Sequence, residues 1–152
     1  MIRFRTLAVS FAILAGAFAA PAAPGPKEKE DKSDLKKLQG DWEVTSWVQL
    51  GQELNLKAKW SIKDEKYTLD MDANLEEGTI KIDPAKKPAT IDLAISGGNC
   101  KGKDQPGIYK FDGDTIVFCF AWPGTTDRPT EFQSTAEGRT ILITMKRSKK
   151  DD

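Results

Sequence analysis

Between Trp42 and Arg147 hydrophobic side chains recur at every second position, the period of a strand buried on one face. The first run sets Trp42, Val44, Ser46 and Val48 on a common face. After a loop from Gly51 to about Leu56, Trp60 and Ile62 alternate with lysine and serine, and Tyr67, Leu69 and Met71 alternate with Thr68, Asp70 and Asp72. A turn over Ala73 to Glu77 leads to Ile80 and Ile82, and Asp83 to Pro88 ends that strand before Ile91, Leu93 and Ile95. A long polar loop, Ser96 to Pro106, precedes a hairpin around Asp112-Gly113, read as a type I′ turn with Phe111 opposite Asp114 and Tyr109 opposite Ile116. Trp122-Pro123-Gly124 breaks the strand that follows. Arg128 to Phe132 leads into an expected short strand before a turn over Ala136 to Arg139, and a last strand, Thr140 to Arg147, carries Ile141, Ile143, Met145 and Arg147 on one face. Short strands joined by tight turns, with no long amphipathic helix, predict an all-β fold. Consecutive hairpins without crossovers favour an up-and-down antiparallel β-barrel of 8–9 strands.

The chain before Trp42 follows other rules. Met1 to Arg5 is basic, Thr6 to Ala20 is apolar, and Ala17-Phe18-Ala19 or Ala20-Pro21-Ala22 offers the small-x-small pattern of a signal-peptide cleavage site. The apolar run is shorter than the roughly 20 residues a spanning helix needs, and no cysteine follows it for lipid attachment. Cleavage therefore leaves no stable membrane anchor, and the protein is expected to be exported, to a periplasm or beyond. Alternating charges from Lys27 to Lys32 have nothing to bury and predict a disordered linker, followed by a short helical turn from Ser33 to Leu38 that Gly40 stops. The expected organisation is a signal peptide over 1–22, a charged linker over 23–37, a barrel domain over 38–148 and a polar tail over 149–152.

Composition narrows the chemistry. The 152 residues hold 23 basic and 23 acidic side chains and no histidine. Removing Arg3 and Arg5 with the leader leaves a net charge near −2, which argues against a nucleic-acid partner. Without histidine the chain lacks the commonest general base and transition-metal ligand. Asp70, Asp72 and Asn74 have the spacing that opens a calcium loop, but Leu75 and Lys81 stand where that loop needs glycine and glutamate, so no metal site is expected. No nucleophile–base pair is evident either, and the reading is of a protein that is not an enzyme and carries no cofactor.

Gly40-x-Trp42 opening the first strand, with Arg147 on the inward parity of the last, resembles the closure of lipocalin barrels. That resemblance implies that Arg147 packs across Trp42 and shuts one end. The ordered set Leu38-Gln39-Gly40-x-Trp42, Pro88-x-x-Ile91-Asp92, Gly107-Ile108-Tyr109, Asp112-Gly113-Asp114-Thr115, Cys119, Arg128-Pro129-Thr130-Glu131-Phe132 and Lys146-Arg147 is similar to a narrower group. That group is the uncharacterised lipocalin-like domain family expanded in planctomycete bacteria. The likeness spans Leu38 to Arg147 and implies a fold and a lineage; it brings no established activity.

The remaining candidates each carry two readings. Cys100 and Cys119 form one disulfide in an oxidising compartment, or stay as two free thiols. Asp92, Arg128 and Glu131 make a polar cluster, read mainly as a structural ion pair of Arg128 with Glu131. Trp60, Tyr109, Phe111, Phe118 and Phe120 face inward, where they either line a pocket or fill the barrel as core. Two functions follow. One is the binding of a small apolar or amphipathic molecule at the open end. The alternative is a solid-core domain that meets a protein or cell-surface polymer through the Ser96–Pro106 and Trp122–Pro129 loops.

Overall fold

A computed structural model describes residues 26–149, so the leader and its cleavage sites lie outside the described residues. Helix α1 (Pro26–Leu38) precedes nine strands: β1 (Gly40–Gln49), β2 (Gln52–Glu53), β3 (Ala58–Lys63), β4 (Lys66–Met71), β5 (Asn74–Asp83), β6 (Ala89–Gly97), β7 (Asp104–Asp112), β8 (Thr115–Ala121) and β9 (Thr140–Arg147). Every neighbouring pair is antiparallel, and β1 also pairs with β9, so eight strands close into a barrel while β2 sits outside as a short hairpin on β1. The all-β, up-and-down architecture is the one the alternating pattern predicts. Inward residues of every barrel strand form one core that includes Trp60, Ile62, Tyr67, Ile91, Phe118 and Met145.

The two ends of the barrel are built differently. At the lower end α1 runs into β1 through Gln39. Trp42 donates its indole N–H to the Leu38 carbonyl at 2.8 Å, tying the last helical residue to the first strand. Trp42 and Arg147 are paired across β1 and β9, and the guanidinium lies over the indole at 4.3 Å from the ring centroid. The same guanidinium donates to the carbonyls of Gln39 (2.7 Å) and Lys37 (2.8 Å). These are acceptors that a helix C-terminus leaves unmet, where a cation also suits the helix dipole. Gly40 makes this approach feasible: it has φ +108°, and a Cβ there would stand 2.9 Å from an Arg147 Nη. Tyr109, from β7, reaches the helix too and donates to Asp34 at 3.0 Å.

Several local expectations change. The helix is 13 residues long, so most of the stretch read as a disordered linker is helical, and the helix starts well before the expected cap at Ser33. On β1 the pairing with β9 shifts between Val44 and Ser46. A bulge of this kind reverses the side-chain parity, so Trp47 joins Trp42 as a buried residue, whereas Ser46 and Val48 are only half-buried. The β7–β8 turn pairs Asp112 with Thr115, two positions from the expected register, and sets Tyr109 opposite Phe118. Only Gly113 has positive φ in it (60°), the pattern of a type II′ turn with glycine first. A shift of two leaves the inward set intact. No strand forms near Arg128 to Phe132: residues 122–139 run as an irregular strap between β8 and β9.

Arg147→Ala removes a cation–π contact and two charge-assisted hydrogen bonds at a partly exposed site, and should cost about 1–2 kcal/mol. Urea unfolding followed by tryptophan fluorescence measures this, with a shift in the emission of native Trp42 expected alongside. An unchanged midpoint and spectrum would contradict the closure.

Candidate functional site

The upper end is open, and it owes its shape to residues that the strand pattern sends inward above Trp60. Here lies a cavity of about 400 Å³. Leu69 and Met71 from β4, Leu93 from β6 and Ile141 and Ile143 from β9 make its aliphatic wall. Trp47, Trp60, Phe120 and Trp122 make the aromatic one. A larger groove, where β1 and β3 separate, is lined mainly by polar and charged side chains such as Glu43, Glu53, Lys57 and Asp70, and lies on the barrel's outside.

The five aromatic candidates divide between the two ends. Trp60 and Phe120 line the cavity. Phe118 is fully buried between them and the lower end, with its ring 5.1 Å from Trp60 and 5.5 Å from Phe120. Tyr109 and Phe111 pack edge to face 5.9 Å apart near the helix, where Lys37 sits 5.3 Å over the Phe111 ring. These last three are core and floor, so the pocket reading holds for Trp60 and Phe120 and the core reading for Tyr109, Phe111 and Phe118. The barrel tapers onto its plug, and residues low on β7 and β8 meet α1 before they meet any cavity.

The main polar feature of the site escaped the sequence reading. Glu76, placed in a turn by the residue pattern, stands on β5 facing inward and is 7% exposed. Its neighbour Leu75 faces outward and is 57% exposed. The hydrophobic pattern is thus inverted at this one place, which is why alternation missed it. Tyr67, from β4, donates its hydroxyl to a Glu76 carboxylate oxygen at 3.0 Å. Gly78 allows that contact: a Cβ there would stand 2.9 Å from a Tyr67 ring carbon and 2.2 Å from the Ala94 carbonyl oxygen. Burial pushes the Glu76 carboxyl above its ordinary range, and the hydrogen bond from Tyr67 only partly opposes this. Burial, reinforced by the nearby carboxylate, raises the Tyr67 phenol as well. Among the described residues no cation lies within salt-bridge distance of Glu76.

Three further polar groups around the cavity are unmet. The buried indole nitrogens of Trp47, Trp60 and Trp122 have no hydrogen-bond partner among the described residues. Each such donor costs about 1–3 kcal/mol relative to a satisfied one. Trp42, the fourth tryptophan, has its partner in the latch. Gln105 is buried beside the cavity and donates to the Ala121 carbonyl at 2.8 Å, holding the mouth of β7 to the end of β8.

The remaining candidates lie elsewhere. Cys100 and Cys119 are both free thiols. Cys100 borders the cavity. Cys119 alternates with inward Phe118 and Phe120, so it faces out of the barrel, beneath the strap, where its thiol donates to the Gln133 carbonyl at 3.4 Å. Cys100 lies in the loop between β6 and β7 and Cys119 under the strap, so of the two readings the free thiols hold and the bridge does not. Burial holds the Cys119 thiol above its ordinary range. In the polar cluster, Arg128 pairs with Asp92 at 2.7 Å and donates to the carbonyls of Ile91 and Gly107, pinning the strap across β6 and β7. Glu131 instead accepts from Gln133 at 2.7 Å, so the expected Arg128–Glu131 pair is corrected. No family model, curated protein or solved structure matches the chain.

Because the Glu76 carboxyl is raised in the fold, its contribution to stability is complete below its unfolded value near 4.5 and is lost as pH rises through the folded value. Wild type should therefore lose stability relative to Glu76→Gln between about pH 4.5 and neutrality. Urea midpoints for both proteins across that range test this; parallel pH profiles would contradict it.

Proposed function

We propose that the chain is an exported lipocalin-like binding protein whose barrel takes a small apolar or amphipathic molecule through its open end. The observation that carries this reading is the cavity of about 400 Å³ at the open end, apolar on most of its wall, with Glu76 among the residues that line it. Sites for small molecules have this size and character: an apolar lining with a few placed polar atoms. A fully packed interior would instead favour the solid-core alternative. The latch of Trp42 and Arg147 supports the likeness to lipocalin barrels, since it is the closure that this likeness implies.

A neutral apolar dye, N-phenylnaphthylamine, should bind at one site with roughly micromolar affinity and quench tryptophan emission. Ile143→Trp, which fills the cavity, should weaken binding about tenfold or more, and the gentler Leu93→Phe should weaken it less. Absence of binding, or binding indifferent to both substitutions in folded protein, would overturn the reading. Export has its own test in the intact mass of protein taken from its host: a chain cut after Ala19 or Ala22 supports it, and one retaining Met1 to Ala22 contradicts it.

A further inference from the structure

The cavity's charge balance is unusual for a purely apolar site. Its one buried ionisable side chain with a hydrogen bond to a neighbour is an acid, Glu76, held at one oxygen by Tyr67. No other donor to its carboxylate and no salt-bridge partner is present among the described residues. The same cavity is lined by the aromatic side chains of Trp47, Trp60, Phe120 and Trp122. A buried acid that lacks a counter-charge is costly. Aromatic rings offer negative faces to cations and are the usual walls of sites for ammonium groups.

We infer that the molecule held in this cavity is an organic monocation, an amine or quaternary ammonium with an apolar body, whose charged group sits against Glu76 and the indole rings. This rests on the reading of the cavity as a binding site and adds the charge of its occupant. The cation supplies the missing partner for the carboxylate, and the aliphatic wall of Leu69, Leu93 and Ile143 takes the apolar body. The groups that face Glu76 fit this assignment. From β4 comes Tyr67, a neutral donor. From the loop after β6 come Cys100 and Lys103, and Lys103 is exposed at the mouth instead of being buried beside the acid. A carboxyl held above its ordinary range when the cavity is empty ionises as the cation enters and gives its proton to solvent. Affinity for a cation should then rise with pH, to a plateau once Glu76 is ionised in the free protein.

Three probes of similar size separate the outcomes: benzyltrimethylammonium, its neutral carbon isostere neopentylbenzene, and phenylacetate. The quaternary cation does not titrate, so any pH dependence belongs to the protein. Titration of the full chain, followed by tryptophan fluorescence and calorimetry, should rank the cation about tenfold or more above the isostere, with phenylacetate weakest. The cation's affinity should increase from pH 4.5 upward, and its binding should release a proton. In Glu76→Gln, checked for folding by urea unfolding, the cation should lose about tenfold and the gap to the isostere should close. If the isostere binds as well as the cation, or phenylacetate binds best, the charge assignment fails while the cavity remains a binding site. If no probe binds to folded protein, both readings fail. Should Glu76→Gln not fold, wild-type ranking and pH dependence decide alone: a cation affinity flat with pH overturns the proposal.

Discussion

The closure of the barrel's lower end depends on the contact of Arg147 with Trp42. A β-sheet of this length has two edges that need partners, and the barrel meets that need by pairing β1 with β9. At the lower end of that seam one guanidinium stacks on an indole and binds two backbone carbonyls from the helix end and the linker residue Gln39. First strand, last strand and helix are thereby joined at a single point. Gly40 is the complementary requirement, since a side chain there would crowd the guanidinium. The contact also fixes polarity along the barrel: what is shut below leaves the other end as the way in.

The asymmetry extends through the interior. Low on the barrel, Tyr109 and Phe111 meet the helix and are spent on packing. Phe118, one layer higher, stacks against Phe120 and Trp60 and closes the floor. Above that floor side chains no longer fill the space. The bulge on β1 swings Trp47 inward, the strap after β8 brings Trp122 to the mouth, and β5 turns Glu76 inward. Of the three, the β1 bulge breaks the alternation, whereas Glu76 keeps the inward parity of β5 and departs only in placing an acid there. A locally costly choice, such as a buried acid beside an exposed leucine, is expected where a chain serves something other than its own packing.

Much of this was legible in the residues. Alternation located the barrel strands, and the parity of Arg147 with Ile141 and Met145 placed it where it reaches Trp42. What alternation cannot carry is a change of phase. The β1 bulge has no glycine or proline to announce it, so Trp47 reads as outward-facing. Glu76 reads as a turn residue because its charge and the neighbouring Leu75 point the wrong way for a buried acid. The strap from 122 to 139 reads as containing a strand because Phe132 is apolar; in the fold that ring lies outside the barrel with Lys110 at 4.6 Å over it. The pairing of Arg128 with Asp92, 36 residues away in sequence, depends on how the strap crosses β6 and β7, and local spacing suggested Glu131 instead.

The proposed binding site lies at one end of the barrel, and the four tryptophans report on both ends at once. Trp42 belongs to the latch, with its indole N–H bonded to Leu38. Trp47, Trp60 and Trp122 border the cavity with theirs unmet. The indole N–H resonances in a nitrogen–proton correlation NMR spectrum therefore separate the two regions. On addition of a molecule that binds the protein, the signals of Trp47, Trp60 and Trp122 should move while that of Trp42 stays in place. Movement of Trp42 alone, or a bound molecule that leaves the other three unchanged, would contradict this.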